Sequence, residues 1–297
     1  MDEITKKKQF LQLQFCTLLL ACSALPDFGG MISAAIGLGG LSIPVIIARV
    51  IGIIGAGTAL YAFYKDANGN LPIPFLCAIG GGVLITLITL IPGTPMWLDY
   101  IALIALFVGL YMAKDSLGIN WKLESTQGAY LILLATLIHF YYSLDGKVAT
   151  AIAALVALII YLKALGVFGR SMDDEGTKGV SKLKIAAWIG IVASAIRLLL
   201  GWIPLLGMVI GILVGIVNIV AFIYEFMGYG NLTHSATLGS EGQIGAGKLR
   251  TSMIIGIVAA VIGIIPVIGM VGGLLIIVAL WFVFQGWIKI ILGLEQN

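Results

Sequence analysis

The chain is a succession of long apolar runs, separated by short segments that contain proline, glycine or charged residues. The runs approach the roughly twenty residues that an α-helix needs to cross a bilayer. They are continuous rather than alternating, which favours helices over the strands of a membrane barrel. The pattern predicts ten transmembrane helices, at residues 28–43, 45–64, 72–91, 96–113, 128–144, 147–165, 185–203, 205–228, 251–265 and 267–288.

Short connections arrange these helices as five helical hairpins. Four of the turns contain Ile-Pro, in the stretches SIPVIIARVIG (42–52), LIPGTPMWLDY (90–100), WIPLLGMVIG (202–211) and IIPVIGMVGG (264–273). Proline suits the first position of a helix and pushes the preceding residue out of the helical conformation. We therefore expect an internal Ile-Pro-x-x-Gly-Met turn repeat, in which residues 185–228 superpose on 251–288 and Pro204 matches Pro266.

The composition agrees with a membrane protein. The hydrophobic fraction is 60%, the charged fraction is 10% and the mean hydropathy is +1.11, whereas a soluble domain has about 25% charged residues. The predicted fold class is an all-α polytopic membrane protein with a single membrane domain. Some first helices are short, so the hairpins either cross a locally thinned bilayer, which we favour, or enter it as re-entrant wedges.

The membrane domain divides into four consecutive segments. Residues 1–27 comprise a basic N-terminus and an interfacial or an extra membrane helix. Residues 28–116 hold hairpins 1 and 2, residues 117–184 hold hairpin 3 and a charged loop, and residues 185–297 hold hairpins 4 and 5.

Most of the lysines and arginines lie in the longer predicted loops and at the C-terminus. The positive-inside rule then places these loops and the C-terminus in the cytoplasm and the Ile-Pro turns outside. We expect the inner membrane of a bacterium. Residues 10–25 either cross the membrane or, as we favour, lie along its interface. The same segment resembles a lipoprotein signal that ends at Cys22, so lipidation at Cys22 is an alternative.

One predicted helix carries small residues at a helical spacing. Gly207, Gly211 and Gly215 are four residues apart, and Asn218 follows on the same face. In lipid, such a face permits close helix contact, and an amide can form a hydrogen bond across the interface. The contact is either within the chain or between copies of it.

A few ionisable residues lie near the hairpin turns on the predicted outer side. They are Arg49, Asp99, His139 and Arg197. Such groups are costly inside a membrane and are usually paired or functional. One interpretation is a structural ion pair or side chains that reach the interface. The other is an outward-facing pocket in which the arginines bind a small anion and His139 responds to pH.

Sequence motifs for catalysis, metal binding and cofactor binding are absent. GQIGAGKL (242–249) imitates the spacing of a phosphate-binding loop, but Leu249 replaces the Ser or Thr that binds magnesium, and no strand precedes it. We interpret the segment as a flexible glycine-rich linker. We expect no catalytic site, no metal site and no cofactor, and the small net charge of +3 gives no indication of nucleic acid binding.

These observations lead to two functional hypotheses. The first is a non-enzymatic integral membrane protein, a scaffold or assembly subunit whose partners are membrane lipids and further copies of itself. The alternative is a channel or transporter for a small solute or anion that uses the arginine-containing pocket.

Overall fold

The computed structural model describes residues 71–90, 96–143, 148–200, 203–263 and 269–296, with a few isolated positions before residue 70. Within these residues every regular element is a helix. The α-helices are α1 (Ile73–Leu90), α2 (Met96–Ser116), α3 (Glu124–Ser143), α4 (Val148–Phe168), α5 (Asp174–Leu200), α6 (Pro204–Leu232), α7 (Gly239–Gly263) and α8 (Gly269–Gln296). Short 3-10 helices precede α5 and α7, at Gly169–Ser171 and Ala236–Leu238.

Four segments of the described chain are long and apolar enough to cross a membrane. They are Asp174–Ile196, Val209–Leu232, Ala236–Ile262 and Val278–Gln296. The described part of the chain is therefore all-helical and of the membrane type, as the hydropathy predicts.

The Pro204 turn has the form predicted for it. Ile203 is extended, with φ −82° and ψ 118°, and Pro204 opens α6. Pro44, Pro92 and Pro266 lie outside the described residues, as do the predicted helix 28–43 and most of the predicted helix 45–64. Ten helices and a turn repeat are thus not confirmed, because the described residues contain eight α-helices.

The largest errors in the predicted boundaries lie at the charged ends of two helices, and α8 also extends to Gln296 rather than ending at residue 288. Helix α5 begins at Asp174 rather than at residue 185, so most of the charged loop is helical. Helix α7 begins at Gly239 rather than at residue 251, so GQIGAGKL is helical and is not a flexible linker. Glycine lowers helix propensity, but contacts with α8, given below, hold this segment in place.

The described chain forms two compact units. The first combines Met1–Ile119 with Ile254–Phe284, and in it α1 packs on α2. A Cβ at Gly109 of α2 would collide with the backbone of Ala78, so this pair approaches closely. Helix α2 ends where Gly118 takes φ 66°, and the amides of Gly118 and Ile119 donate to Asp115 and Lys114. This is the glycine-terminated helix end that satisfies the last carbonyls.

The second unit combines Asn120–Met253 with Gln285–Asn297. In it α3 packs on α4, α4 on α5, and α5 on α6. Trp287 of α8 is fully buried and contacts two rings edge-on, Phe168 at 6.0 Å and Tyr229 at 6.4 Å between centroids. These ring contacts join α4, α6 and α8.

Candidate functional site

One carboxylate ties the start of α5 to the connection between α6 and α7. Asp173 Oδ1 accepts hydrogen bonds from the Gly176 amide (2.8 Å) and the Ser235 hydroxyl (2.7 Å). Its Oδ2 accepts from the Ala236 amide (2.6 Å), and the Asp173 amide donates to Thr237 Oγ1 (3.0 Å). Asp173 is thus the N-cap of α5. Its hydrogen bonds also join two segments that are some sixty residues apart in sequence.

These bonds change the acidity of the group. Burial alone would raise the pKa of Asp173, but hydrogen bonds from Ser235 and from the amides of Gly176 and Ala236 hold that pKa below its ordinary value. The carboxylate form is therefore favoured in the folded protein.

A second group of polar side chains bridges α5 and α6. Glu175 Oε2 accepts a hydrogen bond from Asn231 Nδ2 at 2.8 Å, and Lys182 Nζ donates to Asn231 Oδ1 at 2.7 Å. Lys178 forms an ion pair with the other oxygen of Glu175 at 2.6 Å. This network orients the Asn231 amide and fixes the axial register of the two helices.

Next to this network the two helices touch through glycine. A Cβ at Gly179 would lie 2.8 Å from the Gly228 carbonyl oxygen, and one at Gly228 would lie 3.0 Å from the Gly179 carbonyl oxygen. The side chain of Leu183 covers Gly228. Only glycine permits backbones to approach this closely.

The same contact recurs between α7 and α8. A Cβ at Gly286 would lie 2.9 Å from the Gly245 carbonyl oxygen, and Leu249 covers Gly286. Glu241 forms an ion pair with Lys289, in the place that Glu175 and Asn231 occupy in the α5–α6 pair. The stretch that imitates a phosphate-binding loop is therefore a helix-packing segment.

A related arrangement joins α3 to α4. A Cβ at Gly128 would collide with the Phe168 backbone, and Glu124, four residues earlier, forms an ion pair with Arg170 at 3.3 Å. In all three pairs a glutamate precedes the packing glycine by four residues. The glutamate forms a hydrogen bond or an ion pair with a nitrogen-bearing side chain. That side chain follows shortly after the residue that packs against the glycine.

The sequence does contain a signal for two of these contacts. EGTKGVSKL (175–183) and EGQIGAGKL (241–249) share the glutamate, two glycines, the lysine and the leucine. The Ile-Pro turns lie at the other ends of these helices. Matching the chain on those prolines therefore does not reveal the similarity between EGTKGVSKL and EGQIGAGKL.

Glu225, Tyr229 and Tyr161 are further polar residues that the sequence pattern does not single out. The Tyr229 hydroxyl donates to Glu225 Oε1 at 3.0 Å, and the hydroxyls of Tyr229 and Tyr161 are 3.5 Å apart. Glu225 and Tyr229 belong to the apolar segment Val209–Leu232, whereas Tyr161 belongs to α4. The two tyrosines are 68 residues apart in sequence, so no local pattern indicates their contact.

The predicted anion pocket stays a prediction. Arg49 lies outside the described residues, as do the side chains of Asp99, His139 and Arg197. The backbone places Asp99 near the start of α2, His139 near the end of α3 and Arg197 near the end of α5. Each position is within about one turn of a short connection.

The predicted glycine stripe lies on α6. Gly211 and Gly215 are exposed, and nothing in their unit comes within 4 Å of a Cβ built at either position. Asn218 is exposed and makes no hydrogen bond with the described residues. The surroundings of Gly207 lie outside the described part.

Within the described part of the chain, no three His, Cys, Asp or Glu side chains come together in a way that could hold a metal ion. No family model matches the chain, and neither a curated protein nor a solved structure matches it.

Proposed function

We propose that the protein is a non-enzymatic integral membrane protein that self-associates through α6, as a scaffold or assembly subunit. The contact face is the α6 stripe, which consists of Gly207, Gly211, Gly215 and Asn218. The observation that carries the proposal is the open space beside Gly211 and Gly215 together with the exposed amide of Asn218.

The packed glycines of the same unit support this interpretation. At Gly179, Gly228, Gly245 and Gly286 a neighbouring helix occupies the space that a side chain would fill. Glycine in a helix interior costs about 1 kcal/mol relative to alanine, and close packing compensates for that cost at these positions. At Gly211 and Gly215 nothing in the unit compensates, and these two open glycines are four residues apart on the helix that also exposes Asn218, which favours a partner helix.

The position of Asn218 within the membrane-length segment also supports self-association. Asn218 lies near the middle of the apolar segment Val209–Leu232, and the adjacent residues Val217 and Ile219 are large apolar side chains that are also exposed. A buried amide without a hydrogen-bond partner is costly in hydrocarbon. The same residue of a second copy could supply the partner across a two-fold axis.

Disulfide cross-linking in membranes tests the interface. In a chain whose Cys16, Cys22 and Cys77 are replaced by alanine, Gly215→Cys should form a disulfide between two copies under mild oxidation. Gly256→Cys is the matched control, because Gly256 is also a helical glycine with open space around it. We expect no dimer band from the control.

Two results would contradict self-association through this face. One is the absence of a dimer with Gly215→Cys. The other is equal cross-linking with Gly256→Cys, which indicates random collision. If the Gly215→Cys variant forms no dimer and its new thiol also resists a membrane-permeant maleimide, another part of the same chain covers the stripe.

The strength of association gives a second measurement. Asn218→Leu should weaken association about tenfold, because an amide hydrogen bond between helices in lipid contributes about 1–2 kcal/mol and about 1.4 kcal/mol corresponds to tenfold. Energy transfer between labelled copies in vesicles measures the change. An unchanged affinity would exclude Asn218 from the interface.

A further inference from the structure

Glu225 places a carboxyl group within an apolar helical segment. It lies six residues before Asn231, about 9 Å deeper along α6 at 1.5 Å per residue. The segment Val209–Leu232 includes both residues. Glu225 therefore lies deeper along α6 than the Glu175–Asn231 bridge.

Helix packing does not require this carboxyl. When the packing glycines Gly228 and Gly286 are matched, Val283 of α8 stands at the position of Glu225, and Trp287 stands at that of Tyr229. Helix α8 makes the same glycine contact with a valine at this position. The α7–α8 pair thus acts as an internal comparison, and it indicates that Glu225 has a role other than packing.

The hydrogen bonds of Glu225 suit two protonation states. When the carboxyl is ionised, Tyr229 donates to it and Tyr161 can donate to Tyr229. When the carboxyl is protonated, it can donate to Tyr229, which can donate to Tyr161, since a phenol is both donor and acceptor. The 3.0 Å distance between Glu225 Oε1 and the Tyr229 oxygen suits a hydrogen bond in either direction, and either tyrosine hydroxyl can be the donor across the 3.5 Å between them.

The surrounding charges are engaged elsewhere. From α5, Lys182 bonds to Asn231, and from α7, Arg250 stacks on the Phe226 ring at 4.4 Å. From α4 and α8, the neighbouring groups are Tyr161 and, through Tyr229, Trp287. The ion pairs of Asp115, Glu124, Glu175 and Glu241 do not involve Glu225.

We propose that Glu225 is a proton-binding site, occupied at neutral pH, with Tyr229 and Tyr161 as its hydrogen-bonded chain. An ionised carboxylate inside a membrane segment is costly unless a cation accompanies it. Protonation removes this cost and retains the hydrogen bond to Tyr229. The ligand is a proton, and the site does not depend on self-association through the α6 stripe.

An apolar carbodiimide tests the proposal on the full chain in membranes. Dicyclohexylcarbodiimide adds to protonated carboxyl groups that are accessible from lipid, and mass spectrometry identifies the modified residue. We expect modification of Glu225 at neutral pH, with a rate that falls as the pH rises. Glu175 and Glu241, which are ion-paired in the same protein, are internal controls and should stay unmodified.

Variants distinguish modification of Glu225 from a general reactivity of carboxyl groups with the carbodiimide. Glu225→Gln should abolish the labelled peptide, whereas Tyr229→Phe should extend labelling to higher pH, because the bond from Tyr229 to the ionised carboxylate is charge-assisted and stronger than the bond of the protonated form. An infrared band of a protonated carboxyl, present in the wild type and missing in Glu225→Gln, is a readout that does not depend on carbodiimide access.

Three results would overturn the proposal. The first is the absence of both the adduct and the infrared band at neutral pH. The second is equal labelling of Glu225, Glu175 and Glu241. The third is labelling that sodium ions suppress at constant pH, since this identifies a metal cation as the ligand.

Discussion

At the scale of the residue, Asp173 shows how one carboxylate can determine local structure. It caps α5, and it also holds Ser235 and Ala236 of the connection that leads into α7. Its pKa lies below the ordinary value because these hydrogen bonds outweigh burial. The group therefore stabilises the folded state above the pKa of the unfolded chain, about 3.9, and this contribution is lost as the pH falls through the folded-state value.

Asp173→Asn tests this contribution. The asparagine Oδ1 can still accept hydrogen bonds, but its amide nitrogen would face the Ala236 amide, so two donors would meet. We expect a loss of about 1–3 kcal/mol, measured by thermal unfolding in detergent with circular dichroism. The difference from the wild type should diminish at acidic pH.

Asp174→Asn is the matched control, because it neutralises the adjacent carboxylate in the first turn of the same helix. We expect a smaller effect, from the helix dipole alone. Equal losses in both variants would show that Asp173 has no role beyond charge at the helix start.

At the scale of the element, glycine pairs determine which helices touch. Gly179 meets Gly228 and Gly245 meets Gly286, and in both pairs a leucine four residues beyond the first glycine covers the second. The glutamate that precedes the first glycine then bonds Asn231 or Lys289 across the pair. Close backbone contact and a polar bridge together fix the axial register of each pair.

Two glycines of α7 provide a matched test of this contact. A Cβ at Gly245 would press on the backbone of Gly286, whereas nothing lies within 4 Å of a Cβ at Gly247. Gly245→Ala should therefore lower stability by about 1–3 kcal/mol through overpacking. Gly247→Ala should be neutral or stabilising by up to about 1 kcal/mol.

Thermal unfolding in detergent compares the two alanine variants directly. A stable Gly245→Ala protein would mean that the α7–α8 contact is looser than described. Equal destabilisation by both variants would attribute the effect to the helix backbone rather than to the contact.

At the scale of the whole molecule, the four membrane-length segments indicate a protein of the membrane type. The polar residues of α5–α8 gather at the ends that hold Asp173, Asn231, Glu241 and Lys289. Lys178, Lys182 and Lys289, which belong to the basic segments predicted for the cytoplasm, lie at the same ends. We therefore keep the proposal that these ends and the C-terminus face the cytoplasm of a bacterium.

Cysteine labelling in intact cells tests the orientation. With the native cysteines replaced, Lys178→Cys should resist an impermeant maleimide until the membrane is permeabilised, because Lys178 is exposed at the proposed cytoplasmic end. Asp145→Cys, in the predicted outer turn of the third hairpin, is the opposite-side control and should react at once. The reverse pattern would invert the topology.

The sequence by itself determined the class of the protein and the approximate positions of its described helices. Apolar runs of bilayer length and the conformational restriction of proline act locally, so α1, α2 and the start of α6 at Pro204 agree with the pattern. Local pattern misplaced the starts of α5 and α7, because charged and glycine-containing segments have weak helix signals of their own.

Only the tertiary structure decided which polar groups and glycines meet. Glu175 and Asn231 are 56 residues apart, and Tyr161 and Tyr229 are 68 apart. Hydropathy cannot distinguish Gly245, which is packed, from Gly247, which is open, because the two are chemically identical and differ only in what faces them. Which glycine is packed and which carboxyl is paired depends on the neighbouring helix, and that neighbour exists only once the chain has folded.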